Sequence, residues 1–400
     1  MGSTLVAILV FATTSLVALG GSATSAGAAS RTVTPTVLGS ILTTEESPTY
    51  EVSRDVGYSV LLPNDEILWD FGDTDEYSDA TGTWVRSSPG FIAGSTAAEG
   101  VSAPGTVPRG LGEVVVGSNS AGSTPSQFVP SPTDVYNPDP SVGGSCTTGA
   151  SSDGTKIAYP ARWPDGLAML NSTAVLVTYT DVCVLDGGTA VTEGWGFMEV
   201  GYNYHDILVG PVDVIPPQPP AKTFGDDQLA PQDRFGSPVV GTGGVTFNSA
   251  TCSGYYDGVC VGGNVWSLTV KATASELEDA SNYTDPTPAT TTDSTSWAPS
   301  SNNAGVNYYQ GVGYMMTELT SISGTFDIYS SSSPAGPWTE IASGNLPDCA
   351  PPPGSGFCYA LVGHPELSDA SEMELSYVVP GFGPDPAVNH LVAATIPIPG

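Results

Sequence analysis

Two aspartates, Asp55 and Asp73, bracket the stretch D-V-G-Y-S-V-L-L-P-N-D-E-I-L-W-D-F-G-D. Val56 to Leu62 and Ile67 to Phe71 are rich in β-forming residues, and Pro63-Asn64-Asp65-Glu66 between them has the composition of a turn. The stretch is therefore predicted to be a β-hairpin. Asp55 and Asp73 are equidistant from Asn64, so antiparallel pairing in that register sets them opposite each other on one face. Directly opposed side chains have Cβ atoms roughly 4.5–5.5 Å apart, where like charges repel. Folding has no use for that repulsion, but hydrolysis of a glycosidic bond does, because it requires one carboxyl kept protonated and another ionised. The plainer reading is structural: Asp55 starts a strand, and Asp73 in F-G-D-T caps a turn through an Asx hydrogen bond. A slip of one residue would also move one aspartate to the other face.

Several other residues have the chemistry to serve such a site. His364 and Glu366, in G-H-P-E-L, can bind a sugar hydroxyl, the alternative being a satisfied histidine at a turn before proline. Arg54 and Arg162 stand out because the chain has only nine basic residues; each can position a carboxylate or a sugar oxygen, or form a surface ion pair. Trp163, like Trp69, Trp195, Tyr255 and Tyr256, can stack on a sugar ring or fill a core. Glu193 and Glu199 in E-G-W-G-F-M-E are further acids, or solvated strand residues. Ser-His-Asp chemistry is not indicated, since no G-x-S-x-G accompanies the three histidines. With no phosphate loop, dinucleotide fingerprint, EF-hand or C-x-x-C, neither a cofactor nor a metal is expected.

The elements that must hold these residues are short strands. The 400-residue chain carries 48 glycines and 35 prolines spread along its length, with no sustained helical period, which predicts an all-β fold. Leu5 to Leu19 is an apolar run followed by small residues, read as a signal peptide over 1–29, cleaved near Ala28 or Ala29. The protein is accordingly expected to be extracellular, free of the membrane after cleavage, and monomeric. A formal net charge of −32 argues against nucleic acid as a partner, whereas only 12% of residues are charged. Six cysteines in an exported chain predict three disulfides. The local pairs Cys252–Cys260 and Cys349–Cys358 leave Cys146 with Cys183, other connectivities being open.

Residues 30–400 read as one domain of five short-strand units. The first is the Asp55 hairpin with Trp84-Val85 and Phe91-Ile92; the others start near Lys156, Phe235, Gly311 and Cys358. Long loops are expected over 94–155 and 281–304, where Gly, Ser, Pro, Thr and Asn dominate. Radial repetition of such units gives a five-bladed β-propeller with four-stranded antiparallel blades. Two β-sandwiches joined at the Pro-rich connector near residue 216 are the alternative.

The hairpin ending in F-G-D-T at 71–74, S-S-S-P-A-G-P-W at 331–338, F-G-S-P at 235–238 and G-H-P-E-L at 363–367 are similar to the blade motifs of five-bladed glycosidase-type propellers. The chain resembles, in particular, secreted actinobacterial propellers that include endo-D-arabinanases. That resemblance implies an endo-acting hydrolase of furanosidic, arabinan-like polysaccharide, with Asp55 and Asp73 as its two acids in a central funnel. The openings at Phe235 and Gly311 lack the acidic residues that other propeller glycosidases carry in later blades. The alternative is a non-catalytic secreted propeller that binds cell-wall glycan or a protein partner.

Overall fold

The computed structural model describes residues 30–398 apart from 44–51, 76–90, 117–123, 132–134, 137–144, 147–148, 151–156, 185–189, 204–206, 215–233, 253–254, 257–258, 261–262, 271–276, 278–281, 285–286, 292–304, 350–357 and 381–388. The expected signal peptide and Trp84-Val85 lie outside the described residues, as do most of 281–304 and the side chains of Glu193, Trp195, Tyr255 and Tyr256.

The chain is all-β. In order, β1 (Arg31–Val33), β2 (Thr36–Ser40), β3 (Ser53–Arg54), β4 (Gly57–Leu61), β5 (Ile67–Phe71), β6 (Thr74–Asp75), β7 (Phe91–Ile92), β8 (Thr96–Gly100) and β9 (Gly112–Glu113) form its first part. There follow β10 (Val135–Tyr136), β11 (Ser145–Cys146), β12 (Gly149–Ala150), β13 (Ile157–Asn171), β14 (Ala174–Val184), β15 (Ala190–Asn203) and β16 (Ile207–Val214). The third part is β17 (Arg234–Gly241), β18 (Gly244–Cys252), β19 (Tyr255–Tyr256), β20 (Val259–Cys260), β21 (Gly263–Val270) and β22 (Thr287–Pro288). The last is β23 (Gly305–Tyr309), β24 (Gly313–Leu319), β25 (Thr325–Ser331), β26 (Thr339–Asn345), β27 (Tyr359–His364), β28 (Glu372–Pro380) and β29 (Asn389–Pro397), with a 3₁₀ turn at Pro365–Leu367.

These strands make five sheets of four or five strands in chain order: β4-β5-β8-β9, β12-β13-β14-β15-β16, β17-β18-β21-β22, β23-β24-β25-β26-β1 and β27-β28-β29-β2. A small sheet, β3-β6-β7, extends the first. One strand of each sheet touches the next in turn: β4 meets β13, β13 meets β17, β17 meets β23, β23 meets β27, and β27 returns to β4. Each sheet therefore has two covered faces, which explains why β5, I-L-W-D-F, is buried throughout. Ile67, Trp69 and Phe71 pack with Tyr359, Val378 and Leu391 of the fifth sheet. Leu68 faces the other way, onto Leu167, Val175 and Val177 of the second.

The first sheet departs from the expected strand set. Its third and fourth strands are β8 and β9, inside the segment read as a long loop, while Phe91-Ile92 pairs with Thr74-Asp75 instead. The reason is steric: β8 is T-A-A-E-G, weak in β-formers, but Ala97 and Ala98 are fully buried opposite Asp70 and Trp69, where larger side chains would not fit between sheets. Cys349 and Cys358 are bridged, with Cα atoms 5.1 Å apart. Cys183 is also disulfide-bonded, while the side chains of Cys146, Cys252 and Cys260 lie outside the described residues.

Candidate active site

In the first hairpin, β4 pairs with β5 from Gly57 opposite Phe71 to Leu61 opposite Ile67. Beyond Asp55, β3 pairs with β6, Arg54 lying opposite Thr74 and Ser53 opposite Asp75. Both ladders share one register, which places Asp55 opposite Asp73. The backbone joins them, the Asp55 N–H donating to the Asp73 carbonyl at 3.1 Å and the Gly72 N–H to the Asp55 carbonyl at 2.6 Å. Between the two ladders Val56 takes φ +43°, a left-handed conformation that a β-branched residue seldom adopts. Gly72 lies under this irregularity. A Cβ there would stand 3.1 Å from the Asp55 Cβ and 3.2 Å from its carbonyl oxygen, so the glycine of F-G-D-T makes room for the opposing aspartate.

The two carboxyls have different surroundings. Asp73 is 5% exposed; its Oδ1 accepts the Gly94 N–H at 2.6 Å and its Oδ2 the Tyr159 hydroxyl at 2.5 Å. Burial, and then the charge of Asp55, push its pKa up from 3.8 to about 6, against the hydrogen bonds of Tyr159, Gly94 and Trp163, which favour the charged form. Asp55 is only half-buried, and its Oδ1 accepts the hydroxyl of Tyr359. Each aspartate is thus held by a tyrosine of a flanking sheet, Tyr159 on β13 and Tyr359 on β27. Gly94 is fixed by close packing: at φ +80°, a Cβ would meet the Arg162 carbonyl oxygen at 2.8 Å.

Of the other expected site residues, Trp163 lies beside Asp73 and hydrogen-bonds to it. Arg54 turns away to a buried ion pair with Glu113, donating also to Thr96 Oγ1 at 3.2 Å, with its guanidinium over the Phe71 ring. Arg162 binds Asp181 at 2.9 Å and the Pro130 carbonyl at 2.9 Å, and lies over Tyr179. Both cations, read as sugar ligands or surface ions, are instead buried counter-charges, Arg54 on β3 just before Asp55 and Arg162 on β13 just before Trp163. His364 is 1% exposed, with Nδ1 against Ser59 and Nε2 against Ser376 at 2.7 Å, and packs on Trp69. It offers no free edge to a sugar. Glu366 accepts the Ser59 hydroxyl; both residues lie at the far end of β27 from Tyr359, away from Asp55.

Sequence reasoning missed four residues. Tyr159, near the start of β13, and Tyr359, at the start of β27, carry no motif of their own. Asp70 and Asp165 are both fully buried. Asp70 accepts from Ser95 Oγ at 2.5 Å and Asp165 from Thr180 Oγ1 at 2.5 Å. Burial raises the Asp70 pKa well above 3.8, the Ser95 bond opposes this, and the charge of Asp165 adds to it. An acid inside the apolar run I-L-W-D-F is a signal that was there to read, since both faces of such a strand are covered.

No family model matches the chain, and no curated protein matches it. Among solved structures, a candidate hydrolase from Bacteroides ovatus has a TM-score of 0.50 and 14% identity, with 86% of this chain and 85% of that one covered. The likeness is one of fold. Weaker matches are a GH43_1 enzyme from Xanthomonas citri complexed with xylotriose (TM-score 0.44, 9% identity, 91% and 90% covered) and a family 117 glycoside hydrolase produced by Zobellia galactanivorans (0.42, 9%, 92% and 90%).

Proposed function

We propose that this chain is a secreted glycoside hydrolase built as a five-bladed propeller, each of the five sheets being a blade. The observation that carries the reading is the asymmetry of the Asp55–Asp73 pair, one buried carboxyl with its pKa pushed to about 6 opposite one that is half-open to solvent. Below pH about 6 Asp73 holds the proton and delivers it to the glycosidic oxygen as the bond breaks. Asp55 acts on the anomeric carbon, directly or through a water, and the stereochemistry of the product distinguishes the two. Trp163 beside Asp73 supplies a ring for the sugar to stack on. The motifs of the hairpin and of the later sheets favour an arabinan-like furanosidic polymer as substrate. The test is release of oligosaccharides from mycobacterial-type and plant arabinans by wild type, Asp55→Asn and Asp73→Asn. Release abolished by either substitution supports the pair. Release surviving both places the chemistry elsewhere, and no release from either polymer leaves a glycan-binding propeller.

A further inference from the structure

We propose that Tyr159 and Tyr359 are positioning residues, each phenol drawing one carboxyl of the Asp55–Asp73 pair toward its own sheet and so holding the two acids apart. The proposal rests on the hydrolase reading for its catalytic consequence but not for its geometry. Opposed aspartates on one hairpin would, unaided, share a single environment. Here the second sheet reaches Asp73 through Tyr159 Oη at 2.5 Å, and the fifth sheet reaches Asp55 through Tyr359 Oη, across opposite walls of the first. Both rings are anchored before they touch the acids. Tyr159 is 3% exposed and packs edge-on against Phe91, with ring centroids 5.1 Å apart; Tyr359 is 9% exposed and belongs to the cluster around Trp69 and Phe71.

The backbone around the Asp55–Tyr359 contact bears a second mark. Val56, just after Asp55, has φ +43°, and Ala360, just after Tyr359, has φ +54°. Non-glycine residues in this region are strained and persist where the surroundings over-determine them. The β27–β28 register also shifts between Tyr359 and Val362. Two strained turns therefore aim the two ends of one hydrogen bond. A plain structural role, in which the acids merely satisfy buried phenols, would not require both.

The groups facing Asp73 are Asp55 from its own sheet, Tyr159 and Trp163 from β13, and the Gly94 amide; Arg54 and Arg162 are bound to Glu113 and Asp181. Removing the Tyr159 hydroxyl takes away a donor to the charged form, so the Asp73 titration moves to higher pH. The experiment is carbon-13 NMR titration of aspartate-labelled protein, with Asp73→Asn to assign the signal, on wild type, Tyr159→Phe and Tyr359→Phe, alongside pH profiles of kcat and KM. Phenylalanine keeps each ring in place. The proposal expects the Asp73 midpoint to rise by about 1 pH unit in Tyr159→Phe and to hold in Tyr359→Phe. It also expects kcat to fall roughly 10-fold or more in Tyr359→Phe at unchanged KM. A midpoint unmoved in Tyr159→Phe overturns it, as does a wild-type kcat in Tyr359→Phe. If wild type cleaves no glycan, the hydrolase reading fails by itself and the titration alone decides the positioning role.

Discussion

Asp73→Asn should stabilise the protein at neutral pH while abolishing turnover. The pKa of Asp73 rises from 3.8 to about 6, chiefly through burial. The folded state therefore binds this proton more tightly than the unfolded chain does. Its stabilising contribution is complete below pH about 4 and is lost as pH rises through about 6, amounting to about 3 kcal/mol by pH 8. Asparagine has the shape of the protonated acid and no charge to bury. It can still accept from the Gly94 amide, and the Tyr159 hydroxyl can turn to accept from its NH2 group. Urea unfolding at pH 4 and pH 8 provides the measurement. The two proteins should coincide at pH 4, and the variant should be more stable by about 3 kcal/mol at pH 8. A variant less stable at pH 8, or a difference independent of pH, would refute the claim that desolvation dominates at this carboxyl.

The same shift sets the rate profile: if Asp73 donates the proton, kcat/KM falls about tenfold per pH unit above pH about 6, read from initial rates on soluble substrate. Gly72→Ala, whose methyl would stand 3.1 Å from the Asp55 Cβ, should displace Asp55 by a few tenths of an ångström, lowering kcat about 10- to 100-fold and stability by about 1–3 kcal/mol. Thermal melts with single-turnover rates check both effects. Glu113→Ala, which removes a buried carboxylate from Arg54, should cost about 3–5 kcal/mol in chemical denaturation.

How much of this was legible depends on the range over which each signal acts. The Asp55–Asp73 register could be read because a turn and two apolar runs fix it locally, and Pro63 to Glu66 does so here. The succession of five strand units could be read for the same reason, since glycine and proline punctuate them. The third strand of the first sheet could not, because T-A-A-E-G owes its extended form to the space left beside Trp69 and not to its own preferences. Nor could the destinations of Arg54 and Arg162. Their partners Glu113 and Asp181 lie 59 and 19 residues away, and nothing in composition distinguishes a buried counter-charge from a ligand. Tyr159 and Tyr359 were invisible for a stronger reason, their meaning residing entirely in an aspartate 86 and 304 residues distant.

The way the strands close bears on when the surroundings of the Asp55–Asp73 pair are complete. Thr36–Ser40, among the earliest described residues, is the outer strand of the fifth sheet and pairs with Asn389–Pro397 near the other end of the chain. Asp55 likewise waits for Tyr359. During synthesis, which proceeds from the N-terminus, the first sheet can be made with its acids in register long before the sheet that supplies the second phenol exists. A nascent or truncated chain would carry both aspartates yet lack the wall that holds one of them. The hydrogen-bonded arrangement of the two aspartates would then be complete only once Tyr359 and its sheet are in place.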